Sequence, residues 1–257
     1  MMAMSSTCGS TSDAVIRATV QRFELLIDEP APGEENMLRD LALLDACVRG
    51  EIAGAVRLYG FSPVCLSLGR MQSIDDVNLE ACARDGVDVV RRPSGGRAVL
   101  HDQEVTYSVV CRATDPVFGG RVLESCSRIH DAVAVGLKLL GVHTTPRAMP
   151  ANLRRDAREG ALVADCFARP AAHELLDDRG RKLVGSAQAR RAGALLQHGS
   201  VLLEQPRAAV YLREDAASTL GGVGVRELLG RPVTREEAVA ALAAGFRGAL
   251  ERNGETD

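Results

Sequence analysis

The order of its hydrophobic periodicities is what most restricts the folds open to this chain. Strand-like runs follow one another with few helices between them, and no β-α alternation repeats. A repeated alternation would build a doubly wound parallel sheet. Its absence favours an α+β fold, with a mixed, mostly antiparallel sheet flanked by helices. Residues 56–59 and 64–68 are short apolar runs with Pro63 between them, which predicts a pair of strands joined by a turn. A further strand is expected over 87–91. Over 104–110, Val105, Tyr107 and Val109 alternate with Glu104, Thr106 and Ser108, so the two rows face opposite ways. Residues 181–188 and 194–203 predict a hairpin that turns near Gly193.

Helical spacing marks 35–49, through Met37, Leu41, Leu44 and Val48, and a shorter segment over 75–83. A long amphipathic helix is expected over 123–140, with Cys126, Val133, Leu137 and Leu140 on its apolar stripe. The last helix starts after Val233, where Thr234 and Glu237 have capping-box spacing, and runs to about Arg252.

The 257 residues suit one large domain, or one with a small addition. The expected division is a disordered N-terminus over 1–14, a principal domain over 15–203 and a small helical C-terminal appendage over 204–257. The first residues are small and polar and lack the apolar centre of a signal peptide. A net charge of −3 gives no chain-wide basic footprint for nucleic acid, so any anion site must be local. No apolar run reaches the length of about 18 residues that a membrane span needs. Seven cysteines are scattered without a C-x-x-C pair, which argues against a zinc ribbon or a thioredoxin-like site. An odd count without a secretory signal suggests reduced thiols in a cytoplasm. Cys47, Cys65, Cys111 and Cys126 read as small core residues. No G-x-S-x-G elbow supports a serine hydrolase.

Three segments carry chemistry. R-R-P-S-G-G-R-A-V-L-H-D, residues 91–102, puts three arginines and a His-Asp pair around two glycines. Gly95 and Gly96 let the backbone approach a ligand, and the N–H groups of such a turn can cradle an anion beside Arg91, Arg92 and Arg97. The alternative is a glycine turn with solvated arginines. In K-L-V-G-S-A-Q, Lys182, Val184, Ser186 and Gln188 share a strand face, and Lys182 is either a pocket lysine or a surface one. In A-D-C-F-A-R-P, Cys166 sits where an apolar run turns at Pro170, so it is either an accessible nucleophile or an inert buried thiol.

Together these segments resemble the lipoate-protein ligase, octanoyltransferase and biotin ligase superfamily. E-N-M-L-R-D-L-A-L-L, L-Y-G-F-S-P-V-C-L-S-L-G-R-M-Q and E-V-T-Y-S-V fall in the family's order with them, as does L-Q-H-G-S-V-L, over roughly residues 23–203. The resemblance implies the biotin/lipoate protein ligase catalytic-domain fold and makes 15–203 the acyltransferase domain. It further implies that Arg91, Arg92, Ser94, Gly95, Gly96, Arg97, Ala98 and His101 line the substrate pocket together with Gly185, Ser186 and Ala187. Where ATP-dependent ligases of the superfamily typically carry an Asn-Asp pair, this chain has His173-Glu174, and C-F-x-x-P lies just upstream. That pattern is similar to the LipM-type cysteine octanoyltransferase branch. In that branch Cys166 would carry the acyl group and Lys182 would hold the thiolate and polarise the carbonyl. Arg91 and Arg92 would meet a phosphopantetheine phosphate or an acidic carrier surface, and His101 would orient the loop. One departure is Ala171-Ala172-His173, where the branch usually has a serine and an aromatic residue.

The implied reaction moves octanoyl from octanoyl-acyl carrier protein, or another octanoylated carrier, to a lysine of a lipoyl domain. Acceptors would be glycine cleavage H protein or a 2-oxoacid dehydrogenase E2. No cofactor or metal is needed, because thioester exchange is nearly balanced and the final amide is more stable. The alternative reaction is an ATP- and Mg-dependent lipoate or octanoate ligation. A binding protein that keeps the fold without turnover is a third reading.

Overall fold

The computed structural model describes residues 23–146, 174–213 and 222–252. Its main sheet has five strands in the order β1-β2-β6-β10-β9. These are β1 (Phe23–Ile27), β2 (Gly54–Tyr59), β6 (Glu104–Arg112), β9 (Val184–Arg191) and β10 (Ala194–Leu202). Only the β1–β2 pairing is parallel; the others are antiparallel. A second sheet is made of β3 (Cys65–Leu68), flanked by β4 (Asp88–Arg91) and β5 (Val99–His101). A short pair, β7 (Thr145–Pro146) with β8 (Leu175–Leu176), completes the described strands.

The alternation in β6 decides how the layers stack. Val105, Tyr107 and Val109 face the principal core, with Val56 and Leu58 of β2 and Leu195 and Val201 of β10. Two helices cover that face, α3 (Val122–Leu139) and α5 (Arg235–Glu251), contributing Ile129, Val133, Leu137, Leu242 and Phe246. Residues 222–252 therefore share the principal core. A one-turn helix, α4 (Val225–Leu229), precedes α5, and Val225 is buried in the same core. Thr234 Oγ1 caps α5 by accepting from the Glu237 N–H at 3.1 Å, while the Glu237 carboxylate turns instead to Arg231.

The opposite face of the sheet meets α1 (Gly33–Arg49) and the small sheet. Glu34 and Glu35 suit the positive end of α1, and Gly50 ends it in the left-handed region at φ 75°. The buried stripe of α1 changes character along its length. Asn36 and Asp40 are polar, whereas Leu44 and Cys47 pack on Val110 and Leu196.

Three expectations change. First, 56–59 and 64–68 do not pair with each other, because β2 lies between β1 and β6 while β3 centres the other sheet. The connection is occupied elsewhere. Ser62 N–H donates to Ala31 O at 3.1 Å, and the Asn36 amide donates to Ala31 O and Gly60 O at 3.0 and 2.8 Å. Second, the helix over 75–83 is broken. Val77 is extended at φ −98°, ψ 138°, and Asn78 Oδ1 accepts from the Ala81 N–H to start a new helix, α2 (Leu79–Asp85). A side chain that can cap competes with the helix interior. Third, Cys126 is half-buried outside the apolar stripe, because the strand residues opposite it are Ser186 and Gln197. Cys47, Cys65 and Cys111 are fully buried as expected.

Candidate active site

Between the two sheets lies a cavity of about 370 Å³, its open mouth included. Met37 of α1 and Tyr59 of β2 bound it at one end. Ser67, Val99 and His101 bound it on the small-sheet side, and Gly185, Ser186 and Ala187 face them from β9. The diglycine loop spans the gap. A Cβ built on Gly96 would stand 3.8 Å from the Ala187 Cβ. Gly96 has φ 90°, which disfavours side chains, and a Cβ on neighbouring Gly69 would come within 1.9 Å of Gly96 O. Both glycines are needed for these backbones to touch.

The two arginines of the motif hold this loop. Arg92 is buried, and its Nη2 donates to Gly95 O at 2.9 Å and to Arg97 O at 2.5 Å. Its Nη1 donates to Ser67 O at 2.9 Å, joining loop and sheet. Arg91 Nη1 donates to Gly69 O at 2.8 Å and Gln72 O at 2.7 Å, bracing the facing loop. Arg92 also lines the cavity, and Arg91 is exposed with one guanidinium nitrogen against the carbonyl oxygens of the facing loop. Arg97 stays half-exposed at the lip. Ala98 is fully buried in the small sheet's core, behind the cavity wall.

His101 is held on three sides. Its Nε2 lies 2.8 Å from Ser67 Oγ, its Nδ1 2.7 Å from Glu104 Oε1, and its ring stacks on Phe61 at 4.1 Å. It binds β5 to β3 and to the start of β6 while lining the cavity.

Lys182 lies just before β9, in a bridge with Leu176, rather than within the strand that carries Ser186 and Gln188. Its ammonium is nevertheless turned inward. Nζ is 2.6 Å from Glu174 Oε1, and both side chains are at most 5% exposed. This settles Lys182 as an interior lysine. The Cys126 thiol of α3 meets the Ser186 hydroxyl. Burial pushes the Cys126 thiol up to about 11, so it is protonated at neutral pH. Cys166 lies outside the described residues, as does His173.

Sequence reasoning passed over a polar network at the closed end. Asp40 is fully buried and accepts from Arg57 Nη1 at 3.0 Å, Tyr59 OH at 2.9 Å and Ser108 Oγ at 2.8 Å. Burial would raise its pKa, but contacts with His198, Arg57 and Ser108 outweigh that and hold the carboxyl below its ordinary value. His198, from β10, lines the cavity; burial lowers its pKa despite Asp40 beside it. The signal was present in Asn36 and Asp40, two polar residues four apart on a helix whose other inward positions are apolar.

The fold is that of lipoate-protein ligase catalytic domains. A bi-partite lipoate protein ligase from Thermoplasma acidophilum superposes with a TM-score of 0.67 over 90% of this chain and 84% of that one, at 22% identity. LipL1 of P. falciparum superposes with a TM-score of 0.67 over 92% of this chain and 64% of that one, at 20% identity. The family described as "Lipoyl protein ligase A/B catalytic domain" matches residues 32–247, and the chain belongs to it. Within it, an octanoyltransferase LipM of Kyrpidia tusciae is 39% identical over 90% of this chain and 88% of its own length. One from Symbiobacterium thermophilum is 39% identical over 89% and 86%.

Proposed function

We infer that this protein is an octanoyltransferase acting in protein lipoylation. The observation that carries the reading is similarity, over nine-tenths of the chain, to relatives of that name. The cavity supports it, since a largely apolar lining with a few polar groups suits an acyl chain joined to a reacting carbonyl.

In this reading the Cys166 thiolate attacks the thioester carbonyl of an octanoylated carrier. The tetrahedral intermediate collapses and expels the carrier thiolate, which takes up a proton. The target lysine amine of a lipoyl domain then attacks the enzyme thioester. An amide forms, the amine loses a proton, and Cys166 leaves as thiolate. Lys182, paired with Glu174, supplies positive charge for the thiolate and the developing oxyanion, and can pass the proton. Backbone N–H groups of Gly95 and Gly96 have no protein acceptor among the described residues, which leaves them for the acyl carbonyl or the carrier linker. Octanoyl-acyl carrier protein is the proposed donor and a lipoyl domain the acceptor. The chemistry draws on no ATP, metal or other cofactor, and the proposed location is the cytoplasm. No helix among the described residues is long and apolar enough to cross a membrane.

Intact-mass spectrometry after mixing with octanoyl-acyl carrier protein tests the reading. The protein should gain one octanoyl group that hydroxylamine removes, and Cys166→Ala should lose both adduct and turnover. A fully active Cys166→Ala protein would rule it out. Pyrophosphate release from ATP and free octanoate would mark a ligase instead.

A further inference from the structure

The network under the cavity connects to its lip by a route that the acyl-transfer steps above leave unused. His198 Nδ1 is 3.4 Å from Asp40 Oδ2, and its Nε2 is 2.5 Å from Ser94 Oγ. Ser94 opens the diglycine loop, and both it and His198 are buried. Serine, histidine and aspartate in this order have the composition of a nucleophilic triad. Two observations argue for a different role. Ser94 is 1% exposed and does not bound the cavity. The Asp40 carboxylate is also shared among Arg57, Tyr59 and Ser108.

We infer that His198 is a positioning residue for acyl transfer: directing Nδ1–H to Asp40, it accepts the Ser94 hydroxyl proton at Nε2 and so holds the diglycine loop over the cavity. The inference deepens the octanoyl-transfer reading and rests on it for its catalytic consequence. The donor directions follow from the partners. An ionised carboxylate only accepts, so Nδ1 bears the proton, and a neutral imidazole then presents Nε2 as an acceptor. The low pKa of His198 favours that neutral form.

The consequence is geometric. Arg92 grips the loop at Gly95 O and Arg97 O and ties it to Ser67 of β3 in the small sheet. His198 ties the same loop to β10 in the large sheet. Through the β10–β9 ladder, His198 pairs with Ala187, Gly199 with Ser186 and Ser200 with Gly185. Both lips of the cavity are thereby referred to one strand. A reacting group displaced by about 1 Å can lose about a hundredfold in rate.

The test combines a spectroscopic and a kinetic readout on the full chain. With 15N-labelled histidine at neutral pH, long-range proton–nitrogen correlations should show His198 protonated at Nδ1 and bare at Nε2. Ser94→Ala should shift the Nε2 signal. Ser94→Ala and His198→Leu should each slow formation of the octanoyl adduct about tenfold or more, as loss of one buried hydrogen bond implies. The double variant should be no slower than the slower single one. His198→Gln, whose amide oxygen can take the hydroxyl proton, should recover most of the rate. A proton on Nε2 in the unmodified protein, additive losses, or labelling of Ser94 by a fluorophosphonate would each overturn the inference. If the tautomer and its Ser94 dependence hold but no octanoyl is transferred, the octanoyl reading fails and the clamp stands.

Discussion

Lys182 shows how a single residue can be readable in kind and misread in setting. Its place before a strand of small residues hinted at a pocket lysine. Its partner could not be inferred, because Glu174 lies eight residues upstream across a turn that only the folded chain closes. Both members of the pair are buried. Removing one member of a buried ion pair typically costs about 3–5 kcal/mol, while a well-packed apolar pair in place of both should cost much less. Urea unfolding should therefore rank Lys182→Met and Glu174→Gln as less stable than the double variant Lys182→Met/Glu174→Leu. All three should be inactive in octanoyl transfer. Equal stabilities across the set would mean that the pair is solvated and the site wetter than its geometry implies.

Among the elements, α3 and α5 pack through glycine. A Cβ at Gly136 would lie 2.8 Å from the Leu242 Cα, and one at Gly245 would lie 2.4 Å from the Ala132 carbonyl oxygen. Two terms compete at Gly245. Helix propensity favours alanine by about 1 kcal/mol, whereas overpacking against a backbone typically costs about 1–3 kcal/mol. The contact is with backbone on a neighbouring helix, so the second term should win. Gly245→Ala should lower the melting temperature, and an increase would show that the helices separate easily. The first of these helices was legible from its 3.6-residue period and the second from the capping-box spacing of Thr234 and Glu237, and the polar-apolar alternation of β6 was legible too. Their partners were not. Period shows which face of a helix is buried but not what buries it. The same limit explains the false pairing of 56–59 with 64–68, since nothing in either run reveals that Asn36 and Ala31 claim the connection between them. The site divides similarly. The glycine loop, Lys182 and Gly185–Ala187 could be read from short motifs. The inward turn of Arg92 and the Asp40–His198 link needed contacts spanning 25 and 158 residues.

At the scale of the whole molecule, the large sheet serves two purposes with its two faces. One face is apolar and carries α3 and α5; the other holds the ionised groups that shape the cavity. Such a molecule should be weakened by acid chiefly through the second face. Asp40 has a folded-state pKa below its ordinary value, so its contribution is complete above about pH 4 and is lost as pH falls through the folded value. His198 is depressed as well, which makes folding favour its neutral form, and that contribution begins to fade below about pH 6.5. Both act in the same direction, so stability should decline from mildly acidic pH downward. Asp40→Asn should be less stable at neutral pH, because Arg57 loses its charged partner at 3.0 Å. Its stability should also fall less steeply with acid, because one of the two titrating groups is gone. Urea midpoints measured from pH 7 to about pH 2 for both proteins check this, with the two slopes parting below about pH 4, where Asp40 titrates. Parallel curves would show that the acid response comes from exposed carboxylates, and that the buried network does not govern how the two sheets stay together.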